Sequence, residues 1–262
     1  MTTVSSSCRR TGAARYLADT NNIDGTMIND KQDLAINKTA RVAGALYLLM
    51  APFAAFSLKV RFSAFDHADA AQTVANIAAA PGQHLAAIVT WLVSQTLMIF
   101  LVVALYRLLR PVSKTYAALM AALGLVGIPI SMLNEINQFA VLLWLSPSEF
   151  TANVDPTQIQ ANVMFFLHLH ERGMQICHIF WGLWLLPFGY LVFKSKFLPR
   201  VLGILLVIAG IGYLVDLTGY LLFPGANFTI TPYTFIGELL LPLWLLIKGV
   251  RVEEWQRRVV HA

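Results

Sequence analysis

Apolar residues fall into six long blocks along the chain, 42–58, 85–106, 115–145, 162–193, 198–223 and 232–247, with polar residues gathered in the gaps between them. The blocks are continuous rather than alternating and far exceed the roughly ten residues of an outer-membrane strand, so each predicts a helix. About 20 mostly apolar residues, rising about 1.5 Å each, cross a hydrocarbon core about 30 Å thick. The first and last blocks lie near that lower limit, whereas the third and fourth exceed it and must tilt or project. The expected fold is an all-α integral membrane protein, a six-helix transmembrane bundle. In the first outer loop, Ala71, Val74, Ile77 and Ala78 recur at helical spacing ahead of Pro81 and Gly82, which predicts a short amphipathic helix lying on the outer surface. Asp155 before Pro156 reads as the cap and first turn of the fourth helix.

Inside the blocks, Gly124, Gly127 and Pro129, and again Gly203, Gly210 and Gly212, would weaken a soluble helix. In lipid such residues are common and let neighbouring helices approach closely, so 203–210 is expected to be a close-packing face. Composition agrees with this picture. The 262 residues are 57% hydrophobic and 13% charged, against roughly 25% charged in a soluble domain.

Lysine and arginine are retained in cytoplasmic loops and depleted from translocated ones. Arg9, Arg10, Arg15, Lys31, Lys38 and Arg41 precede the first block. Arg107, Arg110 and Lys114 lie in the second connection, Lys194, Lys196 and Arg200 in the fourth, and Lys248, Arg251, Arg257 and Arg258 after the last block. The opposite loops hold only Lys59 and Arg61, and Arg172 lies within the fourth block. The pattern predicts a bacterial cytoplasmic (inner) membrane protein with both termini in the cytoplasm. The net charge of +5 then reflects topology and attraction to anionic lipid, and no compact basic and aromatic module points to nucleic acid.

Three segments are expected: 1–40 as a disordered cytoplasmic tail, 41–250 as the six-span transmembrane domain, and 251–262 as a second cytoplasmic tail. The first is polar, rich in serine, threonine, asparagine and aspartate, and without apolar periodicity. Met27 offers an alternative start, which would make part of it an extension, and a signal peptide does not fit. Cys8 and Cys177 fall in different phases, so neither a disulfide nor a two-cysteine metal site is expected. No feature specifies an oligomeric state.

Arg41-Val-Ala-Gly-Ala-Leu-Tyr-Leu at the first block, Leu167-His-Leu-His170 with Gly173, and the run from Phe180 to Pro199 carry a likeness. With them go Arg200-Val-Leu-Gly203 and Ala209-Gly-Ile-Gly-Tyr213. Together they resemble a bacterial multi-pass membrane family catalogued as domain of unknown function 4386, over nearly everything after the tail. The resemblance implies a membrane protein of uncharacterised activity and hands over no catalytic residue.

Ionisable groups inside a bilayer cost about 2.5–3.5 kcal/mol each on insertion scales, so those present face protein or water. Counted from the cationic ends, Glu238 lies about 15 Å in, near the midplane; Asp216 and His178 lie about 24 Å in; and Glu135 about 31 Å along its helix. On the fourth helix His168, Glu171, Arg172, Gln175 and His178 share a stripe, with His170 pointing elsewhere. On the third, Asn134, Glu135, Asn137 and Gln138 form a polar turn at similar height. The expectation is an outward-facing polar cavity. Its candidate ligand-binding residues are Glu135, Asn134, Gln138, His168, Glu171, Arg172, His178, Asp216 and Glu238, with Glu135 and Arg172 as the charge pair. At mid-depth Glu238 must be neutral or partnered, with Gln95 and Ser94 as candidate partners; Asp216 can instead hold its helix against Tyr213 or Tyr220.

Three functions fit: binding or passage of a small polar or amphiphilic ligand, a metal-assisted intramembrane hydrolase, or a structural or regulatory protein without substrate. No catalytic, nucleotide-binding or metal-binding motif is present, and the H-x-H of the fourth helix is not the H-E-x-x-H that sets two zinc ligands one turn apart. A non-enzymatic role is therefore preferred, with no cofactor, and with the lipid bilayer and a small-molecule ligand as partners.

Overall fold

The computed structural model describes residues 5–147, 151–223 and 229–260, with side chains from Leu34 to Val259 within them. These residues form helices α1 (Ser5–Ala64), α2 (Ala70–Ala79), α3 (Pro81–Leu109), α4 (Lys114–Leu145), α5 (Pro156–Ser195), α6 (Arg200–Leu222), α7 (Thr231–Thr234), α8 (Ile236–Ile247) and α9 (Val252–Val260), with no strand among them. Five stretches, Leu34–Ala64, Pro81–Leu109, Lys114–Leu145, Pro156–Ser195 and Arg200–Leu222, are long and apolar enough to cross a membrane; a shorter apolar stretch, Thr231–Ile247, follows. The protein is thus an all-α membrane bundle. Large apolar residues on every long helix, among them Phe100, Leu133, Phe165 and Val201, remain exposed, as a lipid-facing surface requires.

Neighbours in sequence pack on each other around the bundle: α1 on α3, α3 on α4, α4 on α5, α5 on α6 and α6 on α8. Contact of α8 with α1 then closes the ring. The main core fills its centre with Leu101, Leu105, Leu108, Met120, Leu185, Phe188 and Leu206, and a smaller cluster of Ile77, Val141, Val163 and Leu167 lies at the α2 end.

Two helix starts follow the local chemistry expected of them. Asp155 accepts a hydrogen bond from Thr157 N at 2.8 Å, and this bond holds its carboxyl below the usual carboxylate range. Asp69 caps α2 through Gln72 N, also at 2.8 Å. The face α2 buries is rotated from the one expected: Thr73 and Ile77 are buried, whereas Ala71 and Ala78 are exposed. Thr73 Oγ1 bonds both ways with the Asp66 backbone, which straps α2 to the end of α1 and turns it onto protein rather than away from it.

The first helix is longer than expected at both ends. It runs from Ser5, through most of the segment expected as a tail, and Ile36 and Ala40 are buried in the core while Asn37 Oδ1 accepts from Val250 N. The last turn of that segment therefore packs into the bundle. At the other end α1 continues past the apolar block to Ala64, because Arg61 turns inward to a partner. Met27 and Cys8 lie outside the residues with described side chains.

Glycines set the closest approach in the bundle. A Cβ on Gly189 would lie 2.6 Å from Gly203 O, and one on Gly203 would lie 2.6 Å from Gly189 O. Seven residues away on each helix, Gly182 and Gly210 face each other in the same manner. The close-packing face expected at 203–210 is therefore present, and its counterpart is the glycine pair of α5. Valine at Gly189 or Gly203 is expected to lower the unfolding free energy of the detergent-purified protein by about 1–3 kcal/mol. Alanine at Gly219, which has nothing within 4 Å, should leave thermal melting unchanged or slightly higher.

Candidate functional site

One face of α4, formed by Ser131, Asn134, Glu135 and Gln138 at spacings of three and four, is buried, while Leu133, Ile136 and Leu143 face outward. Glu135, 1% exposed, is met by Arg61 of α1 in a two-pronged pair: Nη2 donates to Oε2 at 2.6 Å and Nη1 to Oε1 at 3.1 Å. The guanidinium lies over the Trp91 ring of α3, 5.5 Å from its centroid, and Trp91 Nε1 donates to Ser131 Oγ at 3.0 Å. This geometry is the strong form of an ion pair in a low-dielectric interior.

His170 of α5 completes the group. Its Nε2 stands 3.1 Å from Arg61 Nη1 and 3.2 Å from Glu135 Oε1. One ring nitrogen cannot accept from the guanidinium and donate to the carboxylate at once, so the two contacts belong to different tautomers. Asn134 Nδ2 donates to His170 O at 2.9 Å, and a Cβ on Gly173 would collide with the Asn134 amide, so this approach depends on glycine. On the α3 side, His84 Nε2 meets Gln138 Oε1 at 2.9 Å. Three sealed polar atoms of the cluster, Ser57 Oγ, Arg61 Nε and His84 Nδ1, have no hydrogen-bond partner.

The single constellation expected from sequence is divided among several separate places. Glu135, Asn134 and Gln138 share the buried cluster. His168 and Glu171 sit on a more exposed rim, where Glu171 meets His67 Nε2 at 2.8 Å and His168 Nδ1 at 3.2 Å. His178 contacts Gln175 at 3.1 Å and stacks near Trp181 and Tyr213, toward α6. Asp216 caps the start of α7, accepting from Thr229 Oγ1 at 2.6 Å, Ile230 N at 2.7 Å and Thr231 N at 2.9 Å. It thus holds backbone rather than Tyr213 or Tyr220.

The expected Glu135–Arg172 pair does not form. The inward face of α5 at this level is Val163, Leu167, His170 and Cys177, which carries Arg172 round to α6, where its guanidinium lies 4.8 Å from the Tyr220 ring centroid. His170, expected to point elsewhere, is the residue that faces Glu135. Glu238 is met by Tyr47 of α1, whose hydroxyl donates to Oε2 at 2.8 Å, with the Tyr213 hydroxyl beside the carboxyl. Gln95 and Ser94 do not reach it, since α3 packs on the other flank of α1; Ser94 Oγ donates instead to Met50 O at 3.3 Å.

Arg61, His84 and His67 were not singled out by the sequence pattern. A continuation of the first helix by one turn would have placed Ser57 and Arg61 on one face. The spacing of His84, Ile88, Trp91 and Gln95 marks the buried face of α3 in the same way. Among the described residues, no three His, Cys, Asp or Glu side chains are grouped as ligands of a metal ion.

Residues 42–249 match the model of a family described as "Domain of unknown function (DUF4386)". A protein of Archaeoglobus fulgidus described as an uncharacterized protein is 36% identical over 152 residues, 58% of this chain and 76% of that one. No solved structure matches.

Removing one partner of a buried ion pair costs about 3–5 kcal/mol, because the other charge is left without compensation. Arg61→Ala and Glu135→Ala are each expected to destabilise by that amount. The double substitution R61A/E135A should cost distinctly less than the sum, a coupling measurable as a double-mutant cycle on thermal or denaturant unfolding in detergent.

Proposed function

We propose that this chain, which belongs to the family described as a domain of unknown function (DUF4386), binds a small polar or amphiphilic ligand at the cluster around Arg61, Glu135 and His84. The observation that supports this reading is the set of sealed, unpartnered atoms, Ser57 Oγ, Arg61 Nε and His84 Nδ1. Buried polar atoms are nearly always satisfied, and the exceptions point to a missing ligand or bound water. With His84 Nε2 directed at Gln138, Nδ1 is an acceptor, Arg61 Nε is a donor, and the serine hydroxyl can be either.

Charge narrows the ligand class. Glu135 already neutralises Arg61 through both of its oxygens, so an ionic ligand gains little there and a neutral polar group gains most. The rim of His67, His168 and Glu171 at the same end of the bundle supplies a polar approach. In this reading the shorter stretch Thr231–Ile247 is a sixth span, and the protein lies in a bacterial inner membrane. Both termini are cytoplasmic and the cluster lies in the outer half.

The saturation of both Glu135 oxygens and of the Asp216 carboxylate by protein donors favours a second reading, in which the polar groups only fasten helices together. The two readings separate in one experiment. Mass spectrometry of small molecules extracted from the detergent-purified protein is expected to show a polar compound that is lost from S57A/H84L while the variant still elutes as a folded species. An extract without such a compound, or one unchanged by the double variant, would leave the fastening role. For orientation, a phosphatase reporter joined within 110–113 should be inactive and one joined within 146–155 active; the reverse pattern overturns the arrangement.

A further inference from the structure

At the end of the bundle opposite the Glu135 cluster, two turns are stitched together. Lys196, in the left-handed region at φ 65°, ends α5, and Gly249, at φ 67°, separates α8 from α9. Arg251 N donates to Phe197 O at 3.2 Å, which ties one turn to the other, and Asn37 Oδ1 receives Val250 N at 3.2 Å. The helix that follows is anchored at two points: Trp255 Nε1 donates to Leu108 O at 3.1 Å and Arg258 Nη2 to Lys194 O at 2.9 Å. Between these elements lies a cavity of about 860 Å³.

Its walls divide by chemistry. Lys196, Arg200, Lys248, Arg251 and Arg257 supply five cations against a single carboxylate, Glu254, which Arg257 already engages at 2.9 Å. Among the described residues, none of the other four cations is paired with a carboxylate. Phe197, Leu198, Pro199, Trp244, Gly249 and Val250 form the remainder of the lining. The helices rising from the cavity, α6 and α8, continue the apolar wall with Val201, Ile204, Leu243 and Ile247 exposed along it.

We infer that this cavity receives the phosphate headgroup of an anionic phospholipid whose acyl chains lie along α6 and α8. Unpaired cations gathered at the foot of two lipid-exposed helices match a molecule that is anionic at one end and apolar over the rest. Guanidinium groups suit phosphate oxygens because they present paired donors in a plane. A soluble phosphate would satisfy the cations but leave the exposed α6–α8 wall of Val201, Ile204, Leu243 and Ile247 without a partner. The volume also falls in the range of about 300–1,000 Å³ typical of organic ligand sites.

The test uses the full chain, purified in detergent and titrated with phosphatidylglycerol or phosphatidylcholine of identical acyl chains, with bound lipid counted by native mass spectrometry. Phosphatidylglycerol is expected to be retained roughly ten-fold or more over phosphatidylcholine, since several cations each favour the anionic head. R200Q/K248Q/R251Q should abolish that preference, whereas R200K/R251K, which keeps the charge, should retain most of it. Inorganic phosphate in excess should not displace the lipid. Equal retention of the two lipids, displacement by free phosphate, or an unchanged preference in the triple variant would overturn the inference. If the triple variant does not fold, the comparison of lipids and the phosphate competition on the unaltered protein still decide it. None of these outcomes bears on the cluster at the other end.

Discussion

A charged carboxylate with almost no exposure, inside a bundle whose outer surface is apolar, constrains everything around Glu135. Isolated at that position, the charge would be strongly disfavoured, so the fold brings it a guanidinium in two-pronged geometry and a ring nitrogen from a third helix. The consequence is architectural. Arg61 commits the last turns of α1 to the interior, Trp91 brings α3 against the guanidinium, and His170 sets the rotation of α5. Four helices are fixed at one level by groups that each need the others.

The two ends of the bundle answer the same constraint differently. Around Glu135 the polar groups are satisfied mainly by one another, leaving a few inward-facing atoms over. At the other end the cations remain in an open, partly apolar hollow with little opposite charge to meet them. Between the two, Glu238 is held by a tyrosine from α1 and flanked by another from α6, so the middle of the bundle is fastened by neutral hydroxyl donors rather than by ions. The protein therefore grades from a closed ion pair, through a hydroxyl-bound carboxyl, to an open cationic basin along its length.

Most of the fold is legible in the chain because span length and apolar continuity are properties of single segments. The block 115–145 and helix Lys114–Leu145 nearly coincide, as do 198–223 and Arg200–Leu222. The site is less legible, since it depends on which helix stands beside which. Arg61 looked like a loop residue because hydropathy treats an arginine as solvated whether or not a carboxylate awaits it. The stripe through His168, Glu171, Arg172, Gln175 and His178 gives those polar residues of α5 a single face, with His170 off it. Three separate neighbours, the α1–α2 connection, α4 and α6, in fact divide them. His170 and Glu135 could be paired only once α4 and α5 were known to pack together. The glycines of α5 were visible in the sequence, but their partners on α6 were not.

Closure of the ring by α8 against α1 has a consequence for biogenesis. A Cβ on Gly44 would lie 2.8 Å from both Pro242 O and Leu246 N, so α1 is shaped to receive α8 at close range. During synthesis that glycine-bearing flank, with Tyr47 upon it, must wait in the bilayer while the intervening helices are threaded. A ribosome that stopped short of residue 236 would release a horseshoe with an unfilled gap and a stranded phenol. Such a product would leave uncovered the flank of α1 that α8 otherwise packs against, so α8 is the element that completes the ring.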